Sequence, residues 1–313
     1  MGLTLNVDYI NMDIDLIERL KKRYKAVIIA HNYQLPEVQE IADFTGDSLE
    51  MAFRAMELSS DVIIVAGVKF MAELVAAINP DKIVLHPDPT ATCPLADKIN
   101  VQLISEVRER FKGLPIVVYD ISPIEVKALA DFFVTCSFAT RLISKLGFES
   151  IIFSPDNNVA SYISEKTNVN VIPIPSESYC PIYEHLIDEY YVKSALKIYP
   201  NAKLLVHMGV SPKVRRLAHY VGGNSQMIKA IGDIEGEVYL LGAEEGLAYR
   251  AKRIFSDKTI LPVNSRAICL EMKKITPRKI IECLNNLKPK ISIDREIIVR
   301  ARRVIFNSLD ILS

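Results

Sequence analysis

The chain repeats itself at an interval of 88 residues, and this repeat limits the possible folds more than any other feature. In each copy an apolar, strand-like run is followed by a polar turn and then by a helix-like segment. Valine, alanine and an aromatic residue recur in the same columns of the alignment, and two equal offsets with shared residues are not expected by chance. The three copies align without gaps over residues 26–48, 114–136 and 202–224.

The register continues beyond these copies, so each unit contains more than one strand. Two further apolar runs recur in every unit, at 62–66 and 83–85 in the first one. Short apolar strands that alternate with helices indicate parallel sheets with right-handed crossovers. The sequence therefore predicts an α/β protein of three homologous βαβαβ units. We expect them in residues 1–112 with an N-terminal helix over 8–24, in 113–200, and in 201–313 with a C-terminal helix over 296–312.

Composition excludes several classes of function. The 313 residues carry 38 acidic and 38 basic side chains, so the net charge gives no reason to expect a nucleic acid or an anionic membrane as partner. No apolar run reaches the length of a membrane span, and the acidic N-terminal segment does not read as a signal peptide. We therefore expect a cytoplasmic protein whose five cysteines are thiols or metal ligands rather than disulfides.

One cysteine follows the third predicted strand of each unit. Cys93, Cys180 and Cys269 are separated by 87 and 89 residues, so a pseudo-threefold axis would bring their thiols together. Converging thiolates form a soft-ligand site. Structural zinc usually takes four ligands, whereas three cysteines on a [4Fe–4S] cluster would leave one iron open to substrate. The plainer alternative is that cysteine is a common buried residue, and we expect this for Cys283.

Several motifs resemble those of the quinolinate synthase family, over nearly the whole chain. They are AHNYQLPEVQEIADFTGDS at 30–48, GVKFMAE at 67–73, NPDKIVLHPDPTATCPLA at 79–96, EVKALAD at 125–131 and CLEMK at 269–273. The resemblance implies three α/β domains around a pseudo-threefold axis, with one three-cysteine [4Fe–4S] cluster in a central cavity. It also implies condensation of iminosuccinate with dihydroxyacetone phosphate to quinolinate, with the open iron as Lewis acid. The partners would be a dicarboxylate imine, a triose phosphate and, transiently, the iron–sulfur assembly machinery.

The resemblance also implies roles for individual residues. The cluster ligands would be Cys93, Cys180 and Cys269. The catalytic residues would be His31, Tyr33, Tyr119 and His207. Substrate would be bound by His31, Ser48, Tyr119, Ile121, Cys136, Gly209 and Asn224.

The second and third units depart from the usual family pattern at these positions. Ile121 stands where an asparagine is usual, Cys136 where a serine is usual, and Tyr183 where a histidine is usual. Gly209 replaces a glutamate, and Asn224 lies in an altered Ser-Thr-Gly motif. Two alternatives to quinolinate synthesis therefore stay open at this point. One is a paralogous [4Fe–4S] lyase or synthase that acts on another small acid, and the other is a cluster-bearing sensor without turnover.

Overall fold

Three four-stranded parallel sheets form the framework of the computed structural model, which describes residues 14–313. Every sheet has the same strand order, in which the second strand of the unit lies at one edge and the first, third and fourth follow. The predicted α/β class and the threefold repeat are confirmed. The second strand of each repeat was not predicted, because its place is set by pairing with the first strand rather than by a local pattern.

The first sheet lies in the N-terminal part of the chain. Its central strands are buried on both faces, which is why they read as continuous apolar runs. The strands are β1 (Ala26–His31), β2 (Phe44–Gly46), β3 (Val62–Ala66) and β4 (Ile83–Leu85). The helices are α1 (residues 14–24), α2 (Pro36–Ile41), α3 (Ser48–Glu57), α4 (Lys69–Ile78) and, after a single turn at Ala96–Lys98, α5 (Val101–Arg110).

The second and third sheets repeat this order. The second contains β5 (Ile116–Tyr119), β6 (Phe132–Val134), β7 (Ser150–Ser154) and β8 (Asn170–Pro173), with α6 (Ile124–Lys127), α7 (Ala139–Leu146), α8 (Asn157–Thr167), a π-helical turn at Ile182–Leu186 and α9 (Glu189–Ile198). The third contains β9 (Lys203–His207), β10 (Tyr220–Gly222), β11 (Val238–Gly242) and β12 (Thr259–Pro262), with α10 (Pro212–Arg215), α11 (Asn224–Asp233), α12 (Glu245–Ile254), a turn at Met272–Lys274, α13 (Pro277–Asn286) and α14 (Arg295–Asp310).

A side-chain acceptor fixes the start of the second strand in each of the three repeats. Asp43 Oδ2 accepts a hydrogen bond from the Ile28 backbone N–H at 2.8 Å. Its counterparts 88 and 176 residues later, Asp131 and His219, accept from the matching first-strand N–H groups at 2.8 and 3.0 Å. The repeat therefore extends to individual hydrogen bonds.

The chain divides into two compact units, which are called unit one and unit two from here on, whereas the three βαβαβ copies are called repeats. Unit one contains the residues up to Thr92 together with Leu270–Asp294, and unit two contains Cys93–Cys269 together with Arg295–Ser313. Unit one holds the first sheet, and unit two holds the second and third sheets. The three-segment division expected from the sequence stays a prediction.

The terminal helices have different degrees of burial. In α1, Ile17 and Leu20 are buried, whereas Ile14 is 39% exposed. Residues 8–13 of the predicted helix lie outside the described residues. The predicted C-terminal helix is present as α14, which belongs to unit two, and its Ser308 hydroxyl accepts a hydrogen bond from the Phe133 N–H on the edge strand β6 at 2.9 Å. Within residues 14–313, no helix has both the length and the apolar character to cross a membrane.

Candidate active site

The predicted site residues fall into three columns of the repeat. The first strand of each unit ends at residue 31, 119 or 207, and the next residue donates its N–H to the last carbonyl of the neighbouring second strand at 3.1, 2.9 or 3.0 Å. The three turns therefore share one backbone geometry at the carboxyl ends of parallel strands, where α/β proteins bind ligands. The columns are His31, Tyr119 and His207; Tyr33, Ile121 and Gly209; and Ser48, Cys136 and Asn224.

Unit one presents the first member of each column. His31 is buried, and its Nδ1 accepts a hydrogen bond from the Tyr33 N–H at 3.2 Å, so the neutral ring carries its proton on Nε2. The Tyr33 ring meets the His31 ring edge-on at 4.6 Å. Ser48 is the first residue of α3, behind a capping box formed by Asp47 and Glu50. The positive end of the helix dipole favours an anion beside Ser48.

Unit two brings three predicted residues into direct contact. The Tyr119 hydroxyl lies 2.7 Å from Cys136 Sγ, and Sγ lies 3.3 Å from His207 Nε2. The Gly209 N–H donates to His207 Nδ1 at 3.0 Å, so the neutral imidazole carries its proton on Nε2 and donates it toward Cys136. The chain of phenol, thiol and imidazole is a proton-transfer arrangement.

The protonation states of the two outer members follow from their burial. Burial lowers the pKa of His207 to about 3, so the ring is neutral near pH 7. Burial raises the pKa of Tyr119 well above its ordinary value, and the charges of Cys136 and Asp120 add to this. The phenol therefore holds its proton at neutral pH and can donate a hydrogen bond.

Tyr183 and Gly209 are departures from the family pattern that fit each other. The Tyr183 ring stacks on the His207 ring with centroids 4.4 Å apart and planes 19° apart. A Cβ atom at Gly209 would lie 2.9 Å from the Tyr183 ring and 3.1 Å from His207 Nδ1. Any side chain at position 209 would therefore displace the stacked ring, so the two replacements depend on each other.

The remaining predicted residues of unit two lie beside this group. Gly223 approaches Cys136 so closely that an added Cβ would lie 2.4 Å from the Cys136 Cβ. Asn224, the next residue, is buried at the start of α11. Ile121 is partly buried in the turn that follows β5, two residues after Tyr119.

The three cysteines occupy equivalent places, each just before a one-turn helix. Cys93 and Cys180 are thiols, and both receive backbone N–H groups of the following turn. Burial, with a smaller contribution from Cys269, raises the pKa of Cys93 to about 12. Burial also raises the pKa of Cys180, with smaller contributions from Cys93 and Cys269. Each pair of these three cysteines of unit two therefore interacts electrostatically.

Comparison with known proteins decides the family. The model of the family described as "Quinolinate synthetase A protein" matches residues 15–310. The chain is 41% identical to the quinolinate synthase of Pyrococcus abyssi over 300 residues, which cover 95% of this chain and 99% of that protein. It is 39% identical to the quinolinate synthase of Thermotoga petrophila over 299 residues, which cover 96% and 99% of the two chains. The chain belongs to the quinolinate synthase family.

This quinolinate synthase family member also has contacts at the site that the sequence did not predict. The Lys273 ammonium donates to the Tyr33 carbonyl at 2.8 Å within unit one. Three buried polar residues in the short helices α2, α6 and α10 donate to the site turns. The 88-residue offset could have revealed these three, because they share one column of the alignment: Gln39, Lys127 and Arg215.

Proposed function

We propose that this chain is a quinolinate synthase that condenses iminosuccinate with dihydroxyacetone phosphate and releases phosphate and water. The observation that carries the proposal is the family match over residues 15–310 together with identities near 40% along nearly the full length of the relatives. These relatives favour quinolinate synthesis over a lyase for another acid and over a sensor without turnover.

We further propose that Cys93, Cys180 and Cys269 hold a [4Fe–4S] cluster. The donor set fits this group, because the three residues are soft thiol ligands that are coupled to one another. Among residues 14–313, no three His, Cys, Asp or Glu side chains are close enough to share a single metal ion. A [4Fe–4S] cluster is a larger group than a single ion and would be held by the three separate thiolates. When bound, the cluster would supply a Lewis acid through its fourth iron.

Unit two would carry the acid–base work with its own residues. The general acid would be Tyr119, whose protonated phenol lies 2.7 Å from Cys136 Sγ in the chain that links it to His207. Neutral His207, oriented by the Gly209 N–H, would hold its Nε2 proton toward Cys136. Because position 209 is a glycine, the linked Tyr119, Cys136 and His207 would provide the proton transfers for which the family usually has a glutamate.

Unit one would bind the anionic part of a substrate. The His31 ring carries its proton on Nε2 because Nδ1 accepts from the Tyr33 N–H, and the Ser48 hydroxyl lies at the first turn of α3. Both are suited to a carboxylate or phosphate oxygen. The substrates would thus be a dicarboxylate imine and a triose phosphate. Thiol ligands for an iron–sulfur cluster also suit the reducing conditions of the cytoplasm, where we place the protein.

The test is anaerobic purification followed by iron and sulfide analysis and visible spectroscopy. We expect about four irons and four sulfides per chain, and a change in the cluster spectrum when the substrates are added. Quinolinate should then accumulate over many turnovers. A fully loaded protein that forms no quinolinate at high enzyme concentration would refute the activity. A protein without iron after anaerobic reconstitution would refute the cofactor assignment.

A further inference from the structure

One buried polar side chain braces the site turn in each of the three repeats. In unit one the Gln39 side-chain amide donates to the Asn32 carbonyl and to the Gln34 carbonyl, both at 3.1 Å. These two carbonyls flank Tyr33, in the turn that begins directly after His31. Gln39 is 1% exposed.

The second repeat makes the same two contacts with an ammonium group. The Lys127 Nζ donates to the Asp120 carbonyl at 2.8 Å and forms a short hydrogen bond to the Ser122 carbonyl. The two carbonyls lie 88 residues after those of unit one and flank Ile121, in the turn that follows Tyr119. Lys127 is fully buried, at 0% exposure.

The third repeat makes them with a guanidinium group. Arg215 Nη1 donates to the Met208 carbonyl at 3.2 Å and to the Val210 carbonyl at 2.9 Å. These carbonyls again lie 88 residues further along and flank Gly209, in the turn that follows His207. Arg215 also reaches α8, where it donates to the Asn158 carbonyl at 3.0 Å and pairs with Glu165 at 2.7 Å.

The residue type changes between repeats, while the hydrogen bonds stay the same. An amide, an ammonium and a guanidinium serve the same two carbonyls at matching positions. A fully buried lysine is costly to desolvate, and an apolar side chain of similar volume would fill the space at lower cost. General packing therefore does not explain a polar group at this place in all three repeats. The shared feature is the fixed conformation of each turn.

We propose that Gln39, Lys127 and Arg215 are positioning residues that hold the three site turns in their active geometry. In unit two, Lys127 fixes the turn after Tyr119, and Arg215 fixes the turn whose Gly209 N–H orients His207. The Tyr119 hydroxyl and His207 Nε2 both contact Cys136 Sγ, so release of either turn would separate the groups that contact this thiol. The kinetic part of the inference rests on the proposed function, but the geometric part does not.

The experiment compares three variants of the cluster-loaded protein. Lys127→Met removes the donors at nearly constant volume, and Lys127→Gln supplies the amide that the first repeat uses. Lys258→Met is the matched control, since Lys258 also lies in unit two and donates to a backbone carbonyl, that of Ile231 at 2.6 Å. Each variant is assayed for thermal stability, for the rate of Cys136 alkylation by iodoacetamide measured by peptide mass spectrometry, and for kcat and KM.

We expect Lys127→Met to alkylate Cys136 several-fold faster and to lower kcat about 10–100-fold, the scale reported for small misplacements of catalytic groups. Lys127→Gln should restore both values toward those of the wild type. Lys258→Met should alter stability without changing the alkylation rate. A change in stability alone for Lys127→Met would overturn the proposal. If Lys127→Met does not fold, the Lys127→Gln variant decides the question. A folded Lys127→Gln protein with the wild-type alkylation rate would support the positioning role of Lys127. A folded Lys127→Gln protein with an altered alkylation rate would contradict it.

Failure of the proposed function would look different. If the wild-type protein has no quinolinate synthase activity but Lys127 holds its turn, the Lys127 variants would still alkylate Cys136 at the predicted relative rates. Conversely, an active enzyme whose alkylation rate and kcat both ignore the Lys127 substitutions would retain its function and lose the positioning role.

Discussion

A single methyl group added at Gly223 should destabilise unit two through one defined collision. An ideal Cβ at this position would lie 2.4 Å from the Cys136 Cβ and 3.4 Å from its Sγ. Carbon atoms pack at about 3.5–4.0 Å, so the overlap exceeds 1 Å. The Cys136 Cβ is bonded to the backbone and cannot swing away by a rotamer change. We therefore expect Gly223→Ala to cost about 1–3 kcal/mol, the usual range for overpacking.

Thermal unfolding of the variant series measures this cost. A loss of 1–3 kcal/mol corresponds to a fall in Tm of about 2–12 °C for a unit of this size. Gly232→Ala is the matched control, because Gly232 lies in the same helix, α11, and an added Cβ would meet only the Phe255 ring at 3.6 Å. Alanine inside a helix is favoured over glycine by about 0.5–1 kcal/mol, so this control should be neutral or stabilising.

A double-mutant comparison identifies the colliding atom. Cys136→Gly removes the Cβ and should relieve most of the Gly223→Ala penalty, whereas Cys136→Ala keeps the Cβ and should relieve little. The expected coupling with Cys136→Gly is about 1–3 kcal/mol. Equal penalties for Gly223→Ala in both backgrounds would show that the close approach to Cys136 is not the cause.

Three further predictions concern the site chemistry. Cys136→Ser should keep kcat/KM within about tenfold of the wild-type value. Cys136→Ala should cost about 1–3 kcal/mol of stability, because it leaves buried donors without an acceptor. Steady-state kinetics and denaturant unfolding measure these two effects, and equal behaviour of the two variants would contradict the role of the thiol as acceptor. Cys93→Ala should lose the cluster's visible absorption, while the buried core residue Cys283, changed to alanine, should keep it; retained absorption in Cys93→Ala would refute the ligand. In cluster-free protein, the free energy of unfolding of Asp156→Asn should rise between about pH 4 and pH 6, by up to about 1.4 kcal/mol per pH unit. A free energy of unfolding that stays constant over this range, measured by denaturant titration, would contradict the reasoning.

The sign of the pH prediction follows from two opposed shifts. Burial lowers the pKa of His207 from 6.5 to about 3, so between these values only the unfolded state binds the proton and stability rises with pH. Burial raises the pKa of Asp156 from 3.8 to about 7, so the folded state holds that proton and stability falls with pH over the same window. Burial also lowers the pKa of His86, which adds to the slope of His207, and Asp156→Asn removes the opposing contribution.

The longer strands could be predicted from the sequence because buried parallel strands are written as continuous apolar runs. The boundaries of β3 agree with the predicted range to the residue, and so do those of β4, whose three residues are all apolar. The three-residue strands β2, β6 and β10 escaped because their signal is tertiary: each is defined by pairing with the preceding first strand.

The residues of the site could be predicted from the columns of the repeat, but the contacts between them could not. The repeat and the family resemblance pointed to Tyr119, Cys136 and His207, but only the fold shows that one thiol touches both partners. The stacking of Tyr183 on His207 depends on residues from two repeats, and no local pattern encodes it.

The braces were missed for a different reason. Three unlike residues in one column look like variation, and their equivalence appears only when the carbonyls that they serve are compared.

The most direct test of the central claim is the formation of quinolinate by the anaerobically reconstituted wild-type protein. Iminosuccinate and dihydroxyacetone phosphate are supplied together, and quinolinate is measured by mass spectrometry. We predict many molecules of quinolinate per chain, and none from Cys93→Ala prepared in the same way. A protein with a full complement of iron and sulfide that gives no quinolinate would contradict the account.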